Sequence, residues 1–433
     1  MNQTETTRPV LRRLVIRRLV LRRLVLRSVR RLGRPMPAVV VAALCALGLP
    51  ACSGGSAAAR GASGAAAPSV PTPLATSVET ADGTWATIAM GHLDDPANTF
   101  WQLFFHPLGK QPLGKRPLGK PAWSDQVEAT ATATNGGLVL ATAGGRSLTV
   151  GIRPSADLTY SPLITTVDSA RSWSNGLVTS GLADRPDALA TRTSGAALAL
   201  VGGRGAQVLA SGGDLSKWSV VVSESALAAT SGGRSCGLGA LTAVGYLSGE
   251  RLVGGSCGLP GVVGVFAQAG RTWRAAGPAL PTGLLGGRAE VLSLSTDGSG
   301  TSALVAVVSG KRSWLLAASA RSGGRWHVSP ALALGSSETV ASFGPAGASG
   351  LFVLLQGRTG RPRLLVAPGA GALAWRDLPA PPAGTATVAF DGPAAVDALA
   401  ERGKVLTVWS LGPGRAWDKI QIMNVPIQYG SSS

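Results

Sequence analysis

Seven tryptophans recur along this chain at intervals that few folds accommodate. Trp123, Trp173, Trp218, Trp273, Trp326, Trp375 and Trp417 are separated by 50, 45, 55, 53, 49 and 42 residues, a mean of 49. Each follows one local grammar: a β-rich run, a turn of Gly, Ser, Asp or Ala, then the indole opening a short final strand. A period of roughly 40 to 50 residues in a strand-rich chain marks four-stranded sheets repeated around an axis. The spacing therefore predicts an all-β chain, a β-propeller of seven blades with four antiparallel strands each, over residues 81–430. Runs such as Ala196–Val201 and Leu351–Leu355 are apolar at every position, as suits strands covered on both faces by neighbouring blades. The 59 Gly and 28 Pro, with only 14% charged residues, favour short strands and tight turns over long amphipathic helices.

The first blade is irregular. Trp85–Met90 and Phe100–Phe105 read as two strands and Trp123 opens another. Between them a tandem repeat of Pro-Leu-Gly-Lys units fills residues 106–121, a low-complexity insertion of the kind that a hairpin tip tolerates. No innermost strand is evident there. The chain's end, Val425-Pro426-Ile427-Gln428-Tyr429, is the candidate to supply it and close the ring.

Residues 1–51 form a basic repeat followed by a secretory signal. They hold eleven Arg against the single acid Glu5, which accounts for +10 of the net +18. The rest of that charge is scattered and not gathered into a basic patch with interleaved aromatics, so the sequence points away from nucleic acid. Arg30, Arg31 and Arg34 precede an uncharged run, Pro37 to Pro50, whose short apolar core suits a cleaved signal rather than a bilayer span. The run ends Leu49-Pro50-Ala51-Cys52 and resembles a bacterial lipobox. That resemblance implies a diacylglycerol thioether on Cys52 and a protein held on the outer face of the cytoplasmic membrane. Residues 52–80, rich in Ala, Gly, Ser and Pro, read as a disordered tether.

Cysteine use fits such an address. Cys45 falls in the signal and Cys52 takes lipid, leaving Cys236 and Cys257 to pair as a disulfide in an oxidising compartment.

Thr166-Val167-Asp168-Ser169-Ala170-Arg171-Ser172-Trp173 resembles the Asp-box of sialidase-like (BNR) propellers. Ser211-Gly212-Gly213-Asp214 with Trp218 is a looser copy. The resemblance implies structural roles for Thr166, Asp168, Ser172, Trp173, Asp214 and Trp218: the carboxylate caps a tight turn and the indole wedges between blades. It does not bring a sialidase centre with it. Ile152-Arg153-Pro154 stands where an Arg-Ile-Pro element would, in the wrong order. Of Tyr160, Tyr246 and Tyr429 only Tyr246 has a nearby glutamate, Glu250, expected across a hairpin turn.

No other constellation points to a reaction. His92, His106 and His327 show no metal-ligand spacing. The one polar cluster, His92-Leu93-Asp94-Asp95, reads as turn chemistry first and a cation site second. No Gly-rich run leads into a Lys-Ser/Thr pair to cradle phosphate. The expectation is a monomeric, cofactor-free, metal-free binding or scaffold module for an envelope protein or glycan. A diverged sialidase-like glycoside hydrolase is the alternative.

Overall fold

The computed structural model describes residues 75–91, 99–107, 122–125, 137–143, 147–152, 163–167, 171–176, 186–202, 205–296, 300–321, 325–346, 350–357, 361–367, 374–391 and 395–425. All of them belong to one compact unit, Ser63–Ser433. The signal segment, Cys52, the 108–121 part of the tandem insertion, Asp168, the His92–Asp95 cluster and Pro426–Tyr429 lie outside the described residues.

Among those residues the strands fall into seven consecutive antiparallel units of four strands in sequence order, the fifth unit having one more short strand, Leu332–Leu334, that pairs with its third strand beside Trp326–Val328. Their first strands are Ala75–Thr80, Leu138–Thr142, Pro186–Thr191, Leu238–Leu247, Arg288–Thr296, Glu338–Pro345 and Thr385–Asp391. We number the units as blades one to seven; the fold is an all-β propeller.

Why apolar runs form these strands is plain in blade three. In its second strand, Ala197–Val201, every residue is buried. Successive side chains leave a strand on opposite faces. Leu198 and Leu200 accordingly pack toward blade four, while Ala199 and Val201 pack toward blade two. A strand with two covered faces has no position for a polar side chain, which erases the usual alternation.

Seven separate apolar clusters fill the seven junctions, including that between blades one and seven. Each periodic tryptophan sits in a different one: Trp123 between blades seven and one, Trp173 between one and two, Trp218 between two and three. Trp273, Trp326, Trp375 and Trp417 continue the series around the ring. The indoles are inter-blade spacers, which is why their sequence period equals the blade period.

Three features differ from the sequence reading. Ala75–Thr80, expected as the end of the 52–80 tether, is the innermost strand of blade one and pairs with Gly83–Gly91 from Thr76↔Thr87 to Thr80↔Gly83. The chain's end therefore does not supply that strand. Val425 instead donates its N–H to Lys404 O at 2.8 Å and packs into the junction of blades seven and one. Two short helices, Glu224–Ala228 and Ser231–Cys236, which the all-β reading did not include, link blade three to blade four. Ser223 and Thr230 cap them, each side chain accepting from the N–H three residues on. Gly237, at φ 58°, ends the second in the left-handed conformation.

The expected disulfide joins Cys236 to Cys257, with Cα atoms 4.9 Å apart and both residues buried. It ties the end of the second helix to the end of the second strand of blade four, Glu250–Cys257. Gly264 faces the bridge, and a Cβ there would stand 3.0 Å from the Cys257 sulfur.

Candidate functional site: the central channel

The innermost strands enclose a cavity of about 170 Å³ along the axis. Its wall is Thr76–Val78, Leu138–Thr142, Asp187–Thr191, Thr242–Val244, Leu292–Thr296 and Phe343–Pro345, with Leu351. Six of the seven inner strands contribute. Blade seven is screened because the inner strand of blade one leans across to blade six. Ala75 and Thr76 pair in parallel with Ser342 and Phe343, and the Thr76 hydroxyl donates to Phe343 O. Behind that pair the Ser77 hydroxyl donates to Val388 O of blade seven at 2.8 Å.

The wall mixes aliphatic side chains with hydroxyls, and the hydroxyls divide into two kinds. Some stitch neighbouring strands together. Thr242 Oγ1 donates to Val291 O at 2.6 Å, and Thr296 Oγ1 donates to Tyr246 O at 2.8 Å while accepting from Tyr246 N–H at 2.9 Å. Others have no protein partner: Thr191 Oγ1 and Ser293 Oγ are buried and unpaired. An unpaired buried hydroxyl costs free energy comparable to a lost hydrogen bond, so these two atoms, closed to solvent as they stand, would gain from a partner. Asp187 is the carboxylate of the wall; its Oδ2 lies where a Cβ on Gly202 would fall, 1.8 Å away, so only glycine leaves it room.

The described residues of the Asp-box pattern lie away from this cavity, at the outer turns. Thr166 is buried at the end of the third strand of blade two, Leu163–Thr166, and Ser172 is exposed in the turn that follows. Trp173 meets Trp85 edge-on, ring centroids 5.9 Å apart. The second copy is a complete turn. Ser211 Oγ donates to Asp214 O at 2.6 Å, and Asp214 Oδ1 accepts from Ser216 N–H at 3.0 Å and Ser216 Oγ at 2.6 Å. Lys217 Nζ lies 3.1 Å from Oδ2. The Ser216 hydroxyl, its amide and Lys217 together hold the Asp214 carboxyl down to about 2. Trp218 then donates its indole N–H to Leu215 O at 2.7 Å.

Tyr246 and Glu250 flank a two-residue turn, with Leu247 paired to Glu250 across it. Ser248 and Gly249 both take positive φ, 52° and 88°, as a tight hairpin with the strands' own twist requires. Tyr246 is buried between blades three and four under the Arg192 guanidinium, and burial pushes its phenol up to about 12. Glu250 is engaged by Arg274 at 2.6 Å. His106 stacks on Trp123, ring centroids 5.3 Å apart. Arg153, Tyr160 and Tyr429 lie outside the described residues. No group of three or more metal-ligating side chains occurs among the described residues.

No protein-family model matches the chain, and no curated protein matches it in sequence. Among solved structures, YCF48 from Cyanidioschyzon merolae is 12% identical, with a TM-score of 0.43 over 80% of this chain and 98% of that one. A polysaccharide lyase of family PL25, an ulvan lyase, is 10% identical, with a TM-score of 0.40 over 64% of this chain and 80% of its own. The Aleuria aurantia lectin, a mutant in complex with Fucα1-6GlcNAc, is 12% identical, with a TM-score of 0.39 over 72% and 97%.

Sequence reasoning missed Asp187, Thr191 and Ser293. The only trace of them is an acid or hydroxyl inside a run that otherwise reads as an inner strand. Such runs also hold hydroxyls that merely stitch strands.

Proposed function

We propose that the chain is an exported lipoprotein, anchored through Cys52, whose propeller binds an envelope glycan or protein in its central channel without transforming it. The observation that carries this reading is the pair of unpartnered hydroxyls, Thr191 and Ser293, set among aliphatic side chains in the axial cavity. A saccharide suits that wall best. Its hydroxyls would satisfy Thr191 and Ser293, while its C–H faces would lie on the leucines and valines. A glycosidase is less well supported, because Tyr246 is held far from ionisation by burial and Glu250 is occupied by Arg274.

Titration calorimetry of the unit Ser63–Ser433 with envelope oligosaccharides and peptides tests the reading. A saccharide is expected to bind, and Thr191→Val with Ser293→Ala to weaken it by roughly thirtyfold, two neutral hydrogen bonds being worth about 1 kcal/mol each. Binding indifferent to both substitutions, or turnover of a glycoside panel, would count against it. In cells, Cys52→Ser should move the protein from the membrane to the soluble exported fraction; retention on the membrane would remove the anchor from the proposal.

A further inference from the structure

The helical linker and three neighbouring segments form one continuous surface at one end of blades four and five. Leu259 N–H donates to Cys236 O at 3.0 Å and Gly258 N–H to Gly237 O at 2.9 Å. Gly261 N–H donates to Gly287 O at 3.0 Å, and a Cβ on Gly261 would stand 3.0 Å from Leu285 O. Gly287 in turn abuts Val307 and Val308, and Arg288 pairs with Val308 across the strands. Leu259, Leu285 and Val308 thus lie along touching backbone, with 48%, 50% and 38% of their surface exposed. The other large exposed apolar side chains among the described residues, Val167, Val220 and Ile422, are on three different blades.

Charge on this surface is predominantly positive. Segments 224–238, 257–263, 276–288 and 308–312 contain Arg234, Arg288, Lys311 and Arg312, against one carboxylate, Glu224. Arg234, Lys311 and Arg312 are exposed. The surface is also braced: the Cys236–Cys257 bridge lies directly beneath Leu259, so the exposed leucine is held out by a rigid loop. Its rim is glycine, with open space around Gly283, Gly286 and Gly310, and the four segments carry aliphatic side chains, with half-buried Trp314 and Trp326 at their border.

We propose that this end of blades four and five docks on an anionic bilayer. Leu259, Leu285 and Val308 enter the boundary between headgroups and acyl chains, and Arg234, Lys311 and Arg312 meet lipid phosphates. A contiguous exposed apolar patch ringed by cations is the pattern of an interfacial membrane contact. Protein hot spots favour Trp and Tyr anchors in pockets; here the large exposed apolar side chains are Leu259, Leu285 and Val308, and the bordering Trp314 and Trp326 pack into the junction of blades four and five. The inference is independent of the channel and of Cys52.

Sedimentation of the compact unit Ser63–Ser433, which lacks both the basic leader and Cys52, with lipid vesicles tests it. The protein should bind vesicles of phosphatidylglycerol and phosphatidylcholine, leave phosphatidylcholine alone, and lose affinity as salt shortens the Debye length from about 10 Å at 0.1 M. Lys311→Glu with Arg312→Glu, and separately Leu259→Ser with Leu285→Ser, should each weaken binding at least about tenfold. Arg271→Glu, in an exposed turn at the opposite end of blade four, should leave it unchanged. All these side chains are exposed, so unchanged melting temperatures would confirm that folding is intact. Equal binding to neutral vesicles, indifference to both double variants, or a dimer in ultracentrifugation that the leucine variant dissolves would overturn the proposal.

Discussion

Glu290 is an acid placed where water is scarce. It lies in the inner strand of blade five, opposite Ser256 of blade four, and its Oε1 accepts no hydrogen bond. Burial pushes its carboxyl up to about 7 from an ordinary 4.5. A folded-state value above the unfolded one means that folding favours the neutral form. Stability is then complete below about 4.5 and declines as pH rises through about 7. Glu290→Gln, which cannot ionise, should melt with the parent at about pH 4.5 and several degrees above it at about pH 8. Melting curves that stay parallel across that range would remove the effect. Asp214 has the opposite sign. Its value of about 2 lies below the ordinary 3.8, so its share of stability is present above about 3.8 and lost as pH falls through about 2. Carboxyl chemical shifts should report a midpoint near about 2 for Asp214, and Ser216→Ala should raise it, because the Ser216 hydroxyl is the largest cause. A midpoint unmoved by that substitution would show that the turn does not hold the carboxylate.

At the scale of elements, legibility followed burial. The tryptophans announced the blades because an indole buries a large area and each junction needs one spacer. The apolar runs Ala196–Val201 and Leu351–Leu355 stand as the strands Ala197–Val201 and Leu351–Gly357. Ala75–Thr80 was illegible for a physical reason. It offers one large apolar side chain, Val78, and is held by neighbours on both sides: the Gly83–Gly91 strand on one and Ser342–Phe343 on the other. Its strand character resides in its partners. The linker helices were hidden likewise, at five and six residues too short for an apolar period to show. Channel hydroxyls could not be singled out, since whether Thr191 is free and Thr242 is bonded depends on strands far apart in sequence. The inner strand of blade one gives an element-scale prediction. A chain beginning at Pro73 should fold like the full exported one, whereas one beginning at Ala81 should expose the Gly83–Gly91 edge and aggregate. Equal solubility and equal melting temperature for the two would mean that Ala75–Thr80 is dispensable.

For the whole molecule the decisive problem is closure. Each blade is built from one continuous stretch of chain, so among the described residues no blade takes strands from both ends; the first strand instead ties blade one to blade six, Ala75 and Thr76 pairing in parallel with Ser342 and Phe343. The seam between blades seven and one has one backbone bond, Gly91 N–H to Gly403 O at 3.0 Å, and is otherwise held by side chains. Trp123 donates its indole N–H to Asp397 Oδ2 at 3.0 Å, and its backbone N–H and C=O are both taken by the Gln421 side chain, at 2.9 and 2.8 Å. Asp397 is only 3% exposed, so the indole is what compensates a carboxylate taken from water. Trp123→Phe keeps a ring in the seam but strands that carboxylate, and should cost about 1.5–3 kcal/mol in denaturant unfolding, the range for hydrogen bonds to charged groups. Trp326 offers a matched comparison. Its N–H donates at 2.6 Å to a neutral acceptor, Ala276 O, at the junction of blades four and five, so Trp326→Phe should cost about 0.5–1.5 kcal/mol. If the seam bond works by compensating the buried acid, adding Asp397→Val to Trp123→Phe should recover much of the loss, since removing both partners leaves nothing unpaired. Additive losses in the double variant would place closure in the apolar packing of Met90, Phe104 and Leu406 and leave the indole as a spacer like the other six.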